Sequence, residues 1–304
     1  MSDASAKLTT PPHFLVIGHV TKDLLPNGGY TIGGSATFAA LTAARLGFSA
    51  GVVTSASPDL LGRLSEALPD VAVAARPAAE STMFENIYEA DGRRQYLRGR
   101  AAPLGPEDVP EAWRQARIVL LGPLAQEIAP ELAALFPAAL LGASPQGWLR
   151  QWDASGLVSP TAWTSAPAVL PHVQALILSR EDLIAHSGGR EQQQQIEALL
   201  ADWAGRVPLL ALTEGSGGAT LHSAGRARHF RAYPTTEVDP TGAGDVFAAA
   251  FLLQYALAQD AYAATRFANC VASFAIEQPG TAGIPTLQQV ATRMQRSRAT
   301  TPAR

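Results

Sequence analysis

Lysine is nearly missing from this chain. Of its 304 residues only Lys7 and Lys22 are lysines, so basic charge is left to arginine. No GxxxxGK[ST] can be written, and neither a Walker phosphate loop nor a protein-kinase lysine is available. Any phosphate handled here must be met by backbone amides, arginine or metal. Cys270 stands alone in an apolar helical pattern, which excludes a disulfide framework or thiolate metal cage and reads as a small core residue. No run reaches the roughly 18 apolar residues of a membrane span. Residues 1–10 are polar and lack the apolar centre of a secretory signal, so a cytoplasmic location is expected. A net charge of -3 gives no electrostatic case for nucleic acid or a membrane surface as partner. No G-x-G-x-x-G follows the first apolar run, which makes a dinucleotide oxidoreductase the weakest reading.

What the chain has in quantity is apolar sequence in short runs. Hydrophobic residues make up 47% of it, enough for a sizeable core. The runs 13–20, 49–55, 118–121, 138–141, 173–178 and 207–212 read as buried strands. Helical patterns lie between and after them at 35–46 (closed by Gly47), 60–68, near Pro106, at 131–136 and at 261–276. Such alternation predicts an α/β fold with a parallel sheet flanked by helices. Neither a repeat nor a linker-like composition appears, so one domain over 11–295 is expected, with 1–10 and 296–304 as flexible termini. Residues 82–98 differ in character. Asp91-Gly92 signals a two-residue hairpin turn, which would pair Glu89 with Arg94, Ile87 with Tyr96 and Glu85 with Arg98. The opposite face would then carry Phe84, Asn86, Tyr88, Gln95 and Leu97.

Near the C-terminus stands Glu237-Val238-Asp239-Pro240-Thr241-Gly242-Ala243-Gly244-Asp245-Val246-Phe247. Pro240 and the two glycines stop regular structure, and from Val246 to Ala258 only Gln254 is clearly polar. A buried helix thus opens out of a glycine turn. Its first N–H groups lack intrahelical partners and its dipole adds partial positive charge, so the turn is an anion seat. Asp245 at its edge is either a fixed base for phosphoryl transfer to an alcohol or a plain dipole-complementing carboxylate.

Asp-Pro-Thr-Gly-Ala-Gly-Asp followed by Val-Phe and an alanine-rich helix resembles the signature of the PfkB/ribokinase family of sugar and nucleoside kinases. The resemblance runs from about Val16 to Pro285. It implies a ribokinase-like three-layer, Rossmann-like sheet with a small β-hairpin lid near 82–98, through which a homodimer can form. It also implies an ATP-dependent transfer with Mg²⁺, and K⁺ as an activating ion. By the same resemblance Asp245 is the general base, and the amides of Gly242, Ala243 and Gly244 form the anion hole. Ser179, Thr213, Glu214, Gly215, Gly218 and Asn269 fall on nucleotide-binding positions. Asp182 falls on the position of a Glu that reaches Mg²⁺ through water, and Asp239 and Thr241 on a monovalent-cation site.

On the acceptor side the resemblance places Asp23, Gly33 and Gly34 under the substrate. Phe38 stands near a place where many sugar-specific members carry Asn. Ser144-Pro145-Gln146-Gly147 is similar to the Gln-Gly segment of inositol-kinase-like and some archaeal nucleoside-kinase-like members. A diol clamp at Asp23, amides from Gln146 and Asn86, and an aromatic wall at Phe38 rank a cyclitol first as the polyol substrate. A nucleoside comes second and a free aldose or ketose third. Alternative readings are a hydroxymethylpyrimidine or pyridoxal type kinase, against which the lid hairpin and Gly33-Gly34 argue, and a catalytically silent regulatory member, against which Asp245 argues.

Overall fold

The computed structural model describes residues 8–89, 92–183 and 190–300. Among them the strands are β1 (Phe14–Ile17), β2 (Thr21–Leu24), β3 (Tyr30–Gly33), β4 (Ala50–Ala56), β5 (Val71–Pro77), β6 (Thr82–Glu89), β7 (Gly92–Gly99), β8 (Ile118–Leu121), β9 (Leu140–Ala143), β10 (Arg150–Trp152), β11 (Val158–Pro160), β12 (Ala175–Ser179), β13 (Leu209–Thr213), β14 (Ala219–Ser223) and β15 (Arg226–Phe230). The longer helices are α1 (Ser35–Arg45), α2 (Arg190–Arg206), α3 (Ala243–Ala258), α4 (Ala261–Ala275) and α5 (Leu287–Thr300). The helix α5 runs through the start of the tail expected from 296 onward.

β1 explains the layering. Phe14 and Val16 join a core shared with α1, α3 and α4, while Leu15 and Ile17 join a second core with Trp113, Leu200 and Trp203. A strand apolar on both faces must be covered on both sides, which is why the parallel sheet lies between two layers. The order is β15-β14-β13-β12-β9-β8-β1-β4-β5, parallel from β13 to β5 and antiparallel at β14 and β15. From β1 the chain first builds outward through β4 and β5, then returns to β8 on the other side. That reversal opens a crevice at the carboxyl ends of the strands. The two strand ends approach closely there: a Cβ on Gly18 would lie 2.4 Å from the carbonyl oxygen of Gly122.

The lid region is larger than a hairpin. β6 and β7 form one four-stranded sheet with β2 and β3, in the order β3-β2-β6-β7. Asp23 therefore sits inside β2, paired with Thr31 and Phe84, and not at the end of the first main-sheet strand. The expected turn at Asp91-Gly92 lies partly outside the described residues, but the register around it differs from the expectation. Ile87 faces Arg94, Glu85 faces Tyr96 and Glu89 faces Gly92. The shift is an even one, so the two faces keep their expected residues. A bulge between Met83 and Phe84 reconciles the rest, and Arg98 still reaches Glu85 at 2.6 Å.

The two sheets are joined where β1 leads into β2. Glu127 is fully buried, and its carboxylate accepts backbone N–H groups from His19 (3.2 Å), Leu124 (2.9 Å) and Ala125 (2.7 Å). The His19 ring is held by Thr82 (2.6 Å) and the carbonyl of Ala102 (2.9 Å). Among the described residues no helix is long and apolar enough to cross a membrane. Glu127→Gln replaces an acceptor oxygen by a donor facing other donors. It is expected to cost about 3 kcal/mol, since bonds to charged groups are the stronger ones and buried partners would be orphaned. Urea denaturation measures it, and a loss below about 1 kcal/mol would mean that this junction is not held by the carboxylate.

Candidate active site

The turn before α3 is built by exclusion. Gly242 has φ +76°, and a Cβ there would lie 2.4 Å from the Phe38 ring. Only glycine fits both the backbone and the contact. Phe38 is 3% exposed, packs beneath this turn and also lines the cleft. The N–H of Val246 closes the first helical bond onto the carbonyl of Gly242 (2.9 Å), and that of Ala243 turns back to Pro240 (3.2 Å). Helix geometry then leaves Gly242, Gly244 and Asp245 as the amides for a ligand, so Ala243 contributes less than expected. Asp239 fastens the other end of the turn: its carboxylate accepts from Thr241 (3.0 Å) and Gly280 (2.8 Å). Burial acts to raise its pKa, but these bonds outweigh burial and hold the carboxyl below its usual range. Both its oxygens are thus committed to backbone, and the arrangement lends the potassium expectation no support.

Asp245 lies in the first turn of α3, facing a cleft of about 550 Å³. Burial pushes its carboxyl up to about 6, opposed by a hydrogen bond from Ser35. The charge of Asp182 raises it further and that of Arg150 lowers it. A carboxyl poised there is ionised at neutral pH yet basic enough to take a proton.

Asp23 lines the same cleft. Burial raises it also to about 6, against a bond from the Thr21 hydroxyl (3.0 Å), and Asp239 adds to the rise. Gly33 does not line the cleft; it makes room for the clamp, because a Cβ there would lie 2.1 Å from an oxygen of Asp23. Gly34, at φ +91°, does line it and passes close to the carbonyl of His19. From the small sheet Phe84, Asn86 and Gln95 face the cleft, and the Gln95 amide donates to the Asn86 oxygen at 3.1 Å.

At the other end Ser179, Asp182, Thr213, Gly215, Gly218, Thr241 and Asn269 line the cleft. Asn269 donates to the carbonyls of Phe230 (3.3 Å) and Arg231 (3.4 Å), which secures the polar group inside an apolar helix. Glu214 does not line the cleft: its carboxylate binds Arg180 (3.0 Å) and the Thr220 hydroxyl (2.9 Å). Gln146, expected at the acceptor rim, donates to Asp182 at 2.9 Å, and the other oxygen of Asp182 accepts from the N–H of Ser179 (3.1 Å). Glu181 and Asp182 are neighbouring carboxylates on this wall. Mg²⁺ takes few carboxylates and keeps its waters, so this pair fits an ion carried in on phosphate and reached through water.

Besides Glu181, three residues of the site escaped the sequence reading. Ser35 follows Gly33-Gly34 and looked like an ordinary helix start. Thr21 lies in a strand too short to show alternation. Arg150 had a signal, because a chain so poor in lysine must place an arginine near any phosphate.

Residues 143–287 match the profile of the pfkB family carbohydrate kinases. A fructokinase from Klebsiella pneumoniae is 28% identical over 258 residues, covering 78% of this chain and 82% of its own. An inositol 3-kinase from Zea mays is 28% identical over 308 residues, covering 90% and 73%. The solved structure of a pyrophosphate-dependent kinase in the ribokinase family, complexed with a pyrophosphate analogue and myo-inositol, shares the fold. Its TM-score is 0.76 at 22% identity, over 92% of this chain and 99% of the other. With the glycine turn, its aspartate and the two-sheet fold in one cleft, the chain is similar to the pfkB family carbohydrate kinases over residues 143–287 and shares the fold of the ribokinase-family structures.

Proposed function

We propose that this protein transfers the terminal phosphoryl group of Mg²⁺-bound ATP to a hydroxyl of a small polyol, with a cyclitol as the first-ranked acceptor. The observation that carries the reading is Asp245, raised to about 6 at the head of a buried helix, in one cleft with Asp23. Asp23 accepts hydrogen bonds from a vicinal diol and so orients the acceptor. Asp245 takes the proton as the acceptor oxygen bonds to phosphorus. The bond from phosphorus to the bridging oxygen breaks, and its electron pair leaves with ADP. The amides of Gly242 and Gly244 face the charge that develops on the phosphoryl oxygens. Asp182 and Glu181 would hold Mg²⁺ through its water shell, and the ion would supply positive charge against the donor phosphates.

The cyclitol ranking draws on the cleft and on the relatives named above. Asn86 and Gln95 add polar atoms over Asp23, while Phe84 and Leu124 supply apolar surface for a ring. As donor, ATP is favoured by the part of the cleft beyond Asn269, where Ala272, Ile276, Tyr233 and Pro234 offer room for a base. Pyrophosphate is the second reading, favoured by the kinship in fold to a pyrophosphate-dependent kinase.

Specificity constants for myo-inositol, adenosine, cytidine, ribose and fructose, each with ATP and with pyrophosphate, test both choices. A preference of more than about tenfold for ribose or fructose, roughly 1.4 kcal/mol of transition-state binding, would remove the cyclitol. Turnover with pyrophosphate above that with ATP would replace the donor.

Asp245→Asn is expected to lower turnover by about 10²–10⁴, the contribution of a positioned base, with little change in donor affinity. Wild-type kcat should fall as pH drops below about 6, where Asp245 protonates. Stability should move the other way. A carboxyl whose folded pKa lies above its unfolded value of 3.8 is least favourable when ionised, so the variant should melt higher than wild type at pH 8. The gap should narrow as pH falls through about 6 towards 4. An active Asn variant, or a melting gap independent of pH, contradicts the assignment.

A further inference from the structure

A polyphosphate must enter this cleft, yet the described wall is acidic. Asp23, Glu181, Asp182, Glu237 and Asp245 line it, and Arg150 is the one basic side chain among the described residues that do. Its placement is fixed by the backbone. Arg150 opens β10 directly after the turn Pro145–Leu149 that carries Gln146, and it pairs with Pro160 of β11. The Gln126 amide donates to its carbonyl at 2.5 Å. Gly147 lets this turn press on the segment after β8, since a Cβ there would lie 2.3 Å from the nitrogen of Leu124. The Arg150 side chain is 16% exposed, with Nη2 3.9 Å from an oxygen of Asp182.

We infer that Arg150 supplies the positive charge that stabilises the phosphoryl group in flight, and that Asp182 tethers it when no donor is bound. The inference rests on the phosphoryl-transfer reading above. At 3.9 Å the contact with Asp182 is an ion pair too long for a hydrogen bond. A guanidinium fork matches phosphoryl oxygens in geometry, and in transfer the charge spreads over three of them. Arg150 is near enough to Asp245 for its charge to lower that carboxyl, which places it beside the reacting centre and not at the nucleobase end. Asp182 thereby has two tasks: holding Arg150 and Gln146 in the empty cleft, and facing hydrated Mg²⁺ in the loaded one.

The test uses Arg150→Gln and Arg150→Lys with saturating Mg–ATP, or Mg–pyrophosphate if that donor wins, and the best acceptor of the panel. The Gln variant is expected to lose about a thousandfold in kcat, the low end of what a transition-state arginine contributes, with the donor KM changed less than about tenfold. Millimolar guanidinium chloride should restore part of that turnover and should not help Asp245→Asn. The Lys variant should recover only a fraction, because a point charge does not reproduce the fork. The acid limb of the Gln variant's pH profile should move upward as Asp245 loses a cation. A kcat within about tenfold of wild type, or a loss confined to donor KM, overturns the assignment. Should the Gln variant fail to fold, the Lys variant decides on the same kcat criterion. A wild-type protein inert towards the whole panel with both donors would instead remove the phosphoryl-transfer reading, and this inference with it.

Discussion

The contact between the Phe38 ring and the bare Cα of Gly242 is the constraint on which the site depends. It binds α1, which follows Gly33-Gly34, to the first turn of α3, which carries the proposed anion seat and base. Any side chain at position 242 would separate the two helices, and the αL backbone there would resist it as well. The same pair of helices places Ser35 against Asp245, so the partner of the base comes from the acceptor side. Packing and chemistry meet in one contact.

The cleft is electrostatically unusual for a protein that handles phosphate. It holds several carboxylates and, among the described lining residues, a single arginine. In the proposed reaction donor charge would be met by peptide dipoles, the ion that travels with the donor, and Arg150. Peptide dipoles keep their orientation whatever the protonation of nearby side chains. Asp23 and Asp245, both raised to about 6, are the groups that respond to pH, so the acid limb of activity belongs to the acceptor and the base.

Much of the fold was legible because its strands are short, apolar and separated by helical patterns. β4, β8, β9, β12 and β13 fall close to the runs read from sequence, and the glycine turn with Asp245 lies where the motif put it. What was missed has physical causes. β2 and β3 are four residues each, and Thr-Lys-Asp-Leu shows no clear alternation; the turn signal Asn27-Gly28-Gly29 between them was the available clue. β5 was missed although Val71-Ala72-Val73-Ala74-Ala75 is apolar; three of those five are alanines, which favour helix as readily as strand, and Arg76-Pro77 follow at once. The hairpin register could not be read from Asp91-Gly92 because Arg98 reaches Glu85 along a diagonal in the shifted pairing as well. Glu214 and Gln146 sat at family positions, but their nearest opposite charge or amide acceptor, Arg180 or Asp182, decides where a long polar side chain points.

β2 belongs to the first crossover of the chain but hydrogen-bonds into the small sheet. Asp23 therefore rides on one rigid body and Asp245 on the other. The separation of clamp and base is set where the two sheets meet, at His19 and Glu127 and also at Ser57–Ser81 and where Arg100 reaches the carbonyls of Ala125 and Gln126. Alignment of acceptor and base thus depends on these crossings together, so a change at any of them reaches both groups.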